Sequence, residues 1–324
     1  MHRRSLCAAA AGLVSLSWQS LAVAQLSDKR PISIVVPFAP GGGSDILARV
    51  IGPYLAEALG VPFVVENRPG GGGTVAAAQI GRLKGDARSL LLTDMGFTAN
   101  ASVYAQPGYD PTADFEPVGA FASVASILIV RADAPYKNLQ DLIAAGRARP
   151  NALNMASGGA GGTAHLLGTV FANEARFVAT HVPYRGMAPA VTDVLSGQVD
   201  FIVATAPTAL PNVQAGRARA LAVTGEARLP SLEQTPTFSE QGLKNIDGDN
   251  VYGLVAPAKT DSALLRQIHD ALKGIVQKPE VRTRFATVAA MPFSLPSSAA
   301  FGSFLSKEVA RWKQVVKDNK ITSA

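Results

Sequence analysis

The amino-acid sequence predicts an α/β protein built as two domains. Its 324 residues are too many for one small domain. Short apolar runs alternate with amphipathic stretches, strand then helix, in two successive series, which implies parallel sheets covered on both faces. With 48% hydrophobic and 17% charged residues, the chain is too apolar to be disordered.

The first 24 residues read as an export signal. Arg3 and Arg4 make a positive start, Leu6 to Leu16 an apolar stretch, and Ala22-Val23-Ala24 a small-residue cleavage site before Gln25. The apolar stretch is shorter than the roughly 20 residues that span a bilayer. Cys7 lacks the preceding apolar region that lipid attachment would need. Cleavage removes two arginines and no acid, so the formal charge falls from +6 to +4. The remaining basic residues are scattered, with no interleaved aromatics, which argues against a nucleic-acid partner. Cys7 is the single cysteine, so a disulfide scaffold and a cysteine zinc site are excluded. The expectation is a soluble protein of the periplasm.

Ile32 to Val36 is a β-branched strand, and Pro37 to Gly43 a loop. Ser44 or Asp45 is expected to cap a helix running to Leu59, with Leu47, Ile51 and Leu55 facing inward. Val61 to Glu66 is a strand, Asn67 to Gly73 a second glycine loop, Thr74 to Arg82 a helix, and Ser89 to Thr93 a strand. After a pause at Pro107 to Pro117 comes an apolar run, Val118 to Val130. The second series gives a helix at Leu139 to Ala148 and a strand at Asn151 to Ala156. The glycine loop Ser157 to Gly162, a helix at Thr163 to Asn173 and a strand ending at His181 to Tyr184 come next. A helix at Gly186 to Leu195 and strands at Val199 to Val203 and Ala218 to Val223 complete the series. Tyr252 to Ala256 is a strand able to return to the first domain. Helices follow at Ala263 to Val276 and Phe301 to Val316, the latter with Leu305, Val309, Trp312 and Val316 on one stripe.

Two glycine loops, one per series, stand between a strand and a helix start. Each offers free backbone N–H groups at a helix N-terminus, where an anion gains a few tenths to about 2 kcal/mol. Two such sites facing one another would form a cleft for a small anion, beyond the carboxyl ends of the strands. Gly41-Gly42-Gly43 does not continue into a dinucleotide fingerprint, because Ile46 holds the third glycine's place, and no P-loop string occurs. For Asn67 to Gly73 a tight turn is the simpler reading. Ser157 to Thr163 is read as ligand-contacting, since a hydroxyl stands at each end. His165 suits either ligand contact or local packing, and His181 packing.

No metal-ligand spacing occurs, and Asp247-Gly248-Asp249-Asn250 lacks a calcium loop's pattern. No cofactor is expected. Ser157 with His165 or His181 and Asp200 could form a hydrolase triad, but no G-x-S-x-G elbow supports one. Asp45 is read as a helix cap more readily than as a base.

Six strings in fixed order resemble a known family. They are IVVPFAPGGGSD (Ile34 to Asp45), VVENRPGGGGTVAA (Val64 to Ala77), YDPTADFEPV (Tyr109 to Val118), SGGAGGTAHL (Ser157 to Leu166), VPYRGMAPAVTDVLSGQVDF (Val182 to Phe201) and YGLVAPAKT (Tyr252 to Thr260). Together they resemble the Bug family, the extracytoplasmic solute receptors of tripartite tricarboxylate transporters. The resemblance implies a type II periplasmic-binding-protein fold: two α/β domains joined by two crossing strands, with a ligand cleft between. The crossings would fall near Ser123 to Arg131 and Tyr252 to Ala256. Domain 1 would combine residues 25–125 and 253–324, and domain 2 would be 126–252. By motif position, the ligand contacts implied are Phe38, Ala39, Gly43 and Asp45 from the first loop. The second loop would give Ser157, Gly158, Ala160, Gly161 and Thr163, and the strand end after Phe201 would give Ala204 and Thr205.

The chain departs from the family pattern at Gly85 to Arg88 and at Val251, where the family often carries tryptophan. Asp94 is expected to border the cleft, either as a plain exposed loop acid, the simpler reading, or as a carboxylate that would repel a dicarboxylate but could hold an amine or a hydroxyl. The sequence therefore reads as a non-enzymatic receptor for a small organic acid: a di- or tricarboxylate, an amino acid or an aromatic acid. It is expected to close about its ligand as a monomer and to serve membrane permease subunits. A receptor feeding a sensor kinase is the alternative, with an exported hydrolase behind it.

Overall fold

The computed structural model describes residues 29–86, 88–246 and 249–323. The expected export signal with Cys7 lies outside the described residues, as do Ala87 and the Asp247-Gly248 part of the acidic turn.

Strand β1 (Ile32–Val36) leads through the first glycine loop to helix α1 (Gly43–Leu59). Strand β2 (Phe63–Asn67), helix α2 (Thr74–Gly81), strand β3 (Ser89–Thr93), helix α3 (Met95–Val103) and strand β4 (Phe115–Val124) follow. β1 pairs in parallel with both β2 and β3. Helix α3 was not expected: its residues MGFTANASV are mostly small and mostly buried, so no polar face marks its period.

β4 passes through Ala125 alone into β5 (Ser126–Arg131), which belongs to a second sheet. The apolar run from Val118 is thus two strands in two sheets. Helix α4 (Leu139–Ala148), strand β6 (Leu153–Ser157), helix α5 (Thr163–Glu174), strand β7 (Ala179–Pro183) and helix α6 (Met187–Ser196) come next. Strand β8 (Phe201–Thr205), helix α7 (Ala206–Gln214) and strand β9 (Ala218–Val223) complete this half, with sheet order β7-β6-β8-β5-β9.

The chain then returns as β10 (Asn250–Pro257), inserted between β3 and β4 and antiparallel to both. It enters the first sheet at Asn250, paired with Val124, so the crossing lies before Tyr252. Helices α8 (Ser262–Ile275) and α9 (Pro279–Thr287), the short strand β11 (Met291–Pro292) and helix α10 (Ser298–Asp318) end the fold. The first sheet has the order β11-β4-β10-β3-β1-β2. Neither sheet is wholly parallel. A chain that leaves one sheet along β4 and re-enters it from the other half must run in the opposite direction, and β5 and β8 are opposed for the same reason.

Leu47, Ile51 and Leu55 of α1 pack on Ile32, Ile34, Leu90 and Leu92 of the sheet and on Ile268 and Leu272 of α8. The second core gathers Leu142, Leu167, Phe171 and Phe201. Trp312 and Val316 of α10 belong to this same cluster, together with Met95 and Ala99 of α3, so the last helix binds the halves together. Asn173 on α5 donates to the Asn319 carbonyl at 3.0 Å, which fixes the far end of α10. Among the described residues, no helix is long and apolar enough to cross a membrane.

Candidate functional site

The carboxyl ends of β1, β3, β6 and β8 converge on the seam between the two sheets, where open α/β sheets place ligands. α1 and α5 both begin there, and both are capped by glycine, Gly42 and Gly162, in extended conformation with no side-chain hydrogen bond. The expected caps Ser44 and Asp45 are therefore corrected: both lie inside the first turn. A glycine cap leaves the first N–H groups of each helix without a side-chain acceptor, and those groups with the helix dipole suit an anion.

Phe38, Gly42, Gly43, Ser44 and Asp94 line an inner cavity from the first half. Gly158, Gly162, Thr163, Ala164, Met187 and Thr205 line it from the second. Its volume is about 30 Å³, room for little more than water, so an organic ligand would have to part the walls from this arrangement. The walls meet closely: a Cβ built on Gly43 would lie 2.6 Å from Thr205 Oγ1. The described state is thus closed. Six sequence-predicted residues (Phe38, Gly43, Asp94, Gly158, Thr163 and Thr205) come together here.

Asp94 caps α3, accepting from the Phe97 N–H at 3.3 Å. Asn250 accepts from the Met95 N–H at 2.7 Å and donates to Thr163 Oγ1 and to the Tyr252 hydroxyl, each at 3.0 Å. With Thr163 Oγ1 accepting from Asn250, the Thr163 hydroxyl proton is free to go to Asp94. Burial pushes the Asp94 carboxyl up to about 6, against the opposing pull of the Phe97 and Gly96 N–H groups and Thr163. Burial, then the nearby Asp94 charge, raises Tyr252, which stays a neutral phenol. Sequence reasoning missed Asn250, Ser44 and Met187. An Asn at the start of the return strand has no motif of its own, and only the crossing geometry brings it to α5.

The structure places other predicted residues outside the cavity. Asp45 accepts from the Gly41 N–H, Arg49 and Asn67, each at 3.0 Å, and forms an ion pair with Arg49. Burial raises its pKa, but those bonds outweigh burial and hold it below the usual carboxylate range. It fastens the loop to β2 and does not face the seam cavity. Ala39 packs against Gly186, and Ala204 is wholly buried in β8, paired with Ile127. The Ala160 carbonyl accepts from the Tyr104 hydroxyl at 2.9 Å across the seam. Gly161 donates its N–H to His165 Nδ1 at 2.9 Å, so His165 braces the loop from behind.

His165 stacks on His181 with ring centroids 3.9 Å apart, and His181 Nε2 lies 2.6 Å from Ser157 Oγ. Burial, with the second histidine adding to it, lowers His165 to about 3, and burial lowers His181 to about 4. Ser157 is fully buried and turned away from the cavity toward this pair. Asp200 accepts instead from the Asn154 N–H at 2.7 Å and from Tyr136 at 3.4 Å. The serine and the histidine therefore meet, but the supposed acid does not join them, and the expected ligand contacts Ser157 and His165 become supports of the loop.

The Asn67–Gly73 loop belongs to the seam as well. Gly72 has φ +58°, and a Cβ there would collide with the Ala160 carbonyl of the other half. An outer groove of about 260 Å³ runs beside it, lined in part by Phe38, Tyr104, Tyr184 and Arg185.

The model of the tripartite tricarboxylate transporter family receptor matches residues 47–321. The structure of the periplasmic binding protein BugD is similar over 91% of this chain and 99% of that one, at 30% identity and a TM-score of 0.86. A Rhodopseudomonas palustris protein solved with adipate is 31% identical, with a TM-score of 0.87 over 91% of this chain and 99% of its own. MatC from the same organism, solved with bound malate, is 28% identical, with a TM-score of 0.85 over 89% and 99%. These likenesses run the length of the fold, and with the family match they settle its place: the chain belongs to the tripartite tricarboxylate transporter receptor family, as a two-domain solute receptor of the Bug type and not an enzyme.

Proposed function

We propose that this receptor captures a small organic carboxylate in the inner cavity and delivers it, from the periplasm, to permease subunits of a tripartite tricarboxylate-type transporter. One observation carries the reading: two glycine-capped helix starts, one from each half, open on a single closed cavity. A carboxylate there would accept from the free N–H groups of both α1 and α5. Contacts to both halves favour the closed state, so the ligand drives closure by its differential affinity. Micromolar binding needs about 8 kcal/mol. Two helix ends at up to about 2 kcal/mol each, added to hydrogen bonds in a seam closed to water, make that reachable.

The bound dicarboxylates of the two Rhodopseudomonas palustris relatives support the ligand chemistry. The two sheets support a division in which residues 126 to about 249 form the mobile half and the rest, after export, forms the other. Gly42, Gly43, Ser44, Gly162, Thr163 and Thr205 are the proposed contacts. The test is calorimetric titration of the purified, ligand-stripped protein with a panel of organic and amino acids, alongside thermal melting. Saturable binding with a rise in Tm and no consumption of ligand is expected. Absence of binding across the whole panel would overturn the proposal.

A further inference from the structure

The inner cavity has one ionisable lining residue, Asp94, and no lysine, arginine or histidine among the residues that line it. Two helix N-termini supply roughly +0.5 charge each. They can hold one ligand carboxylate, but the wall offers nothing that would neutralise a second. A second carboxylate would also approach a buried aspartate. Behind Asp94 lies a smaller cavity of about 10 Å³, which Asp94 and Asn100 both line. Asn100 donates through Nδ2 to the Gly72 carbonyl at 2.9 Å, while its buried Oδ1 has no hydrogen-bond partner among the described residues. The first-half wall thus has acceptors to spare next to its one acid. A ligand bringing a cationic donor would neutralise the buried carboxylate. A ligand hydroxyl would leave that charge uncompensated, which is costly away from water.

We infer that Asp94 is the specificity-determining residue and that the ligand is a compact zwitterionic amino acid. Its carboxylate lies at the starts of α1 and α5, and its ammonium lies against Asp94. This rests on the carboxylate-receptor reading above and narrows it. It separates this chain from the relatives solved with malate and adipate, whose ligands carry two carboxylates.

The groups facing Asp94 leave it as the titrating member of the site. Tyr109 and Tyr252 are both raised, chiefly by burial, and remain neutral phenols. Thr163 and Asn250 carry no charge. His165, behind the loop on α5, is lowered to about 3, and Asp45 on α1 is ion-paired with Arg49.

The experiment is calorimetric titration of the wild-type protein and Asp94→Asn at pH 8 with the twenty L-amino acids, succinate, malate and adipate. Asparagine caps a helix as well as aspartate does, so the variant keeps α3, and melting verifies this. An amino acid should bind the wild type and lose tenfold or more in affinity with Asp94→Asn, while the dicarboxylates gain tenfold or more. A second readout needs no variant: lowering the pH from 8 to 5 protonates Asp94, which weakens the wild type's amino-acid binding about tenfold and strengthens dicarboxylate binding. A wild type that binds a dicarboxylate with affinity indifferent to both the substitution and the pH would overturn the inference and leave the carboxylate receptor standing. So would an amino acid whose binding ignores Asp94→Asn. Failure of every acid in the panel would overturn both.

Discussion

Thr163 stands where the two halves exchange hydrogen bonds, between Asn250 at 3.0 Å and Asp94. Thr163→Val keeps the volume and removes the hydroxyl, leaving the Asn250 amide one acceptor short in the closed form. An unmet buried partner costs about 1–3 kcal/mol. Affinity should therefore fall by roughly tenfold or more, with the melting temperature of the ligand-free protein little changed; titration and circular dichroism read the two. The stacked histidines make a second residue-scale prediction. In the unfolded chain an imidazole titrates near 6.5, whereas burial lowers His165 to about 3 and His181 to about 4. As the pH falls from 7 to 4 the unfolded chain takes up protons that the folded one refuses, so stability is lost on the acid side. Asp94 acts in the opposite sense: with its folded value raised to about 6, it adds stability as the pH falls through 6. Melting temperatures between pH 7 and 4 should decline, and the decline should be steeper in Asp94→Asn. A flat profile would contradict the burial of both rings. At this scale the loop's own hydroxyls pointed to Thr163, while Gly43 and Thr205 came only from the family resemblance; the structure brings all three to one cavity. Ser157 misled, because a hydroxyl at the head of a loop can turn inward to a histidine 24 residues away as easily as outward to a ligand.

Among the elements, the second glycine loop shows how little sequence says about function where only space matters. Gly70 to Gly73 were legible as a turn, but the turn is shaped to admit the Ala160 carbonyl of the opposing loop. Gly72→Ala should keep both halves folded yet hold them apart. The expected result is a loss of affinity beyond tenfold, with no ligand-induced decrease in radius of gyration by small-angle scattering. Helix α4 offers a control remote from the seam. Asn138 Oδ1 accepts from the Asp141 N–H at 2.9 Å, while Asp141 Oδ2 accepts from the Lys137 N–H at 2.8 Å. Asn138→Ala should cost about 1 kcal/mol in urea denaturation and leave binding untouched. That helix was legible to its ends, since apolar spacing and a capping residue agree. Three helices were not. α3 is small-residued and buried, α7 carries Pro207 and Pro211, and α9 opens on Pro279 before a largely polar stretch. Proline at a helix's first position is in fact a start signal, and it marked α9 unread.

For the molecule as a whole, two crossings and a closed seam imply motion. Tyr104 reaches across to the Ala160 carbonyl, so Tyr104→Phe should speed ligand release several-fold in stopped flow while barely altering the ligand-free fold. The two-layer α/β plan was legible because strand and helix periods differ. The mixed sheets were not, because pairing direction depends on where the chain re-enters, and β10 looks like any apolar run. The last helix carries one further consequence. Of the two tryptophans, Trp18 lies within the expected export signal, and Trp312 is the single one among the described residues. Trp312 is sealed from solvent, with the Arg311 guanidinium 4.9 Å from its ring, in the cluster shared by both halves. If opening loosens that cluster, the emission of Trp312 should shift on ligand addition, and an unchanged spectrum would show that α10 moves as one body with the first half. The receptor thus carries a native fluorophore through which opening can be followed in real time, with no dye and no tag.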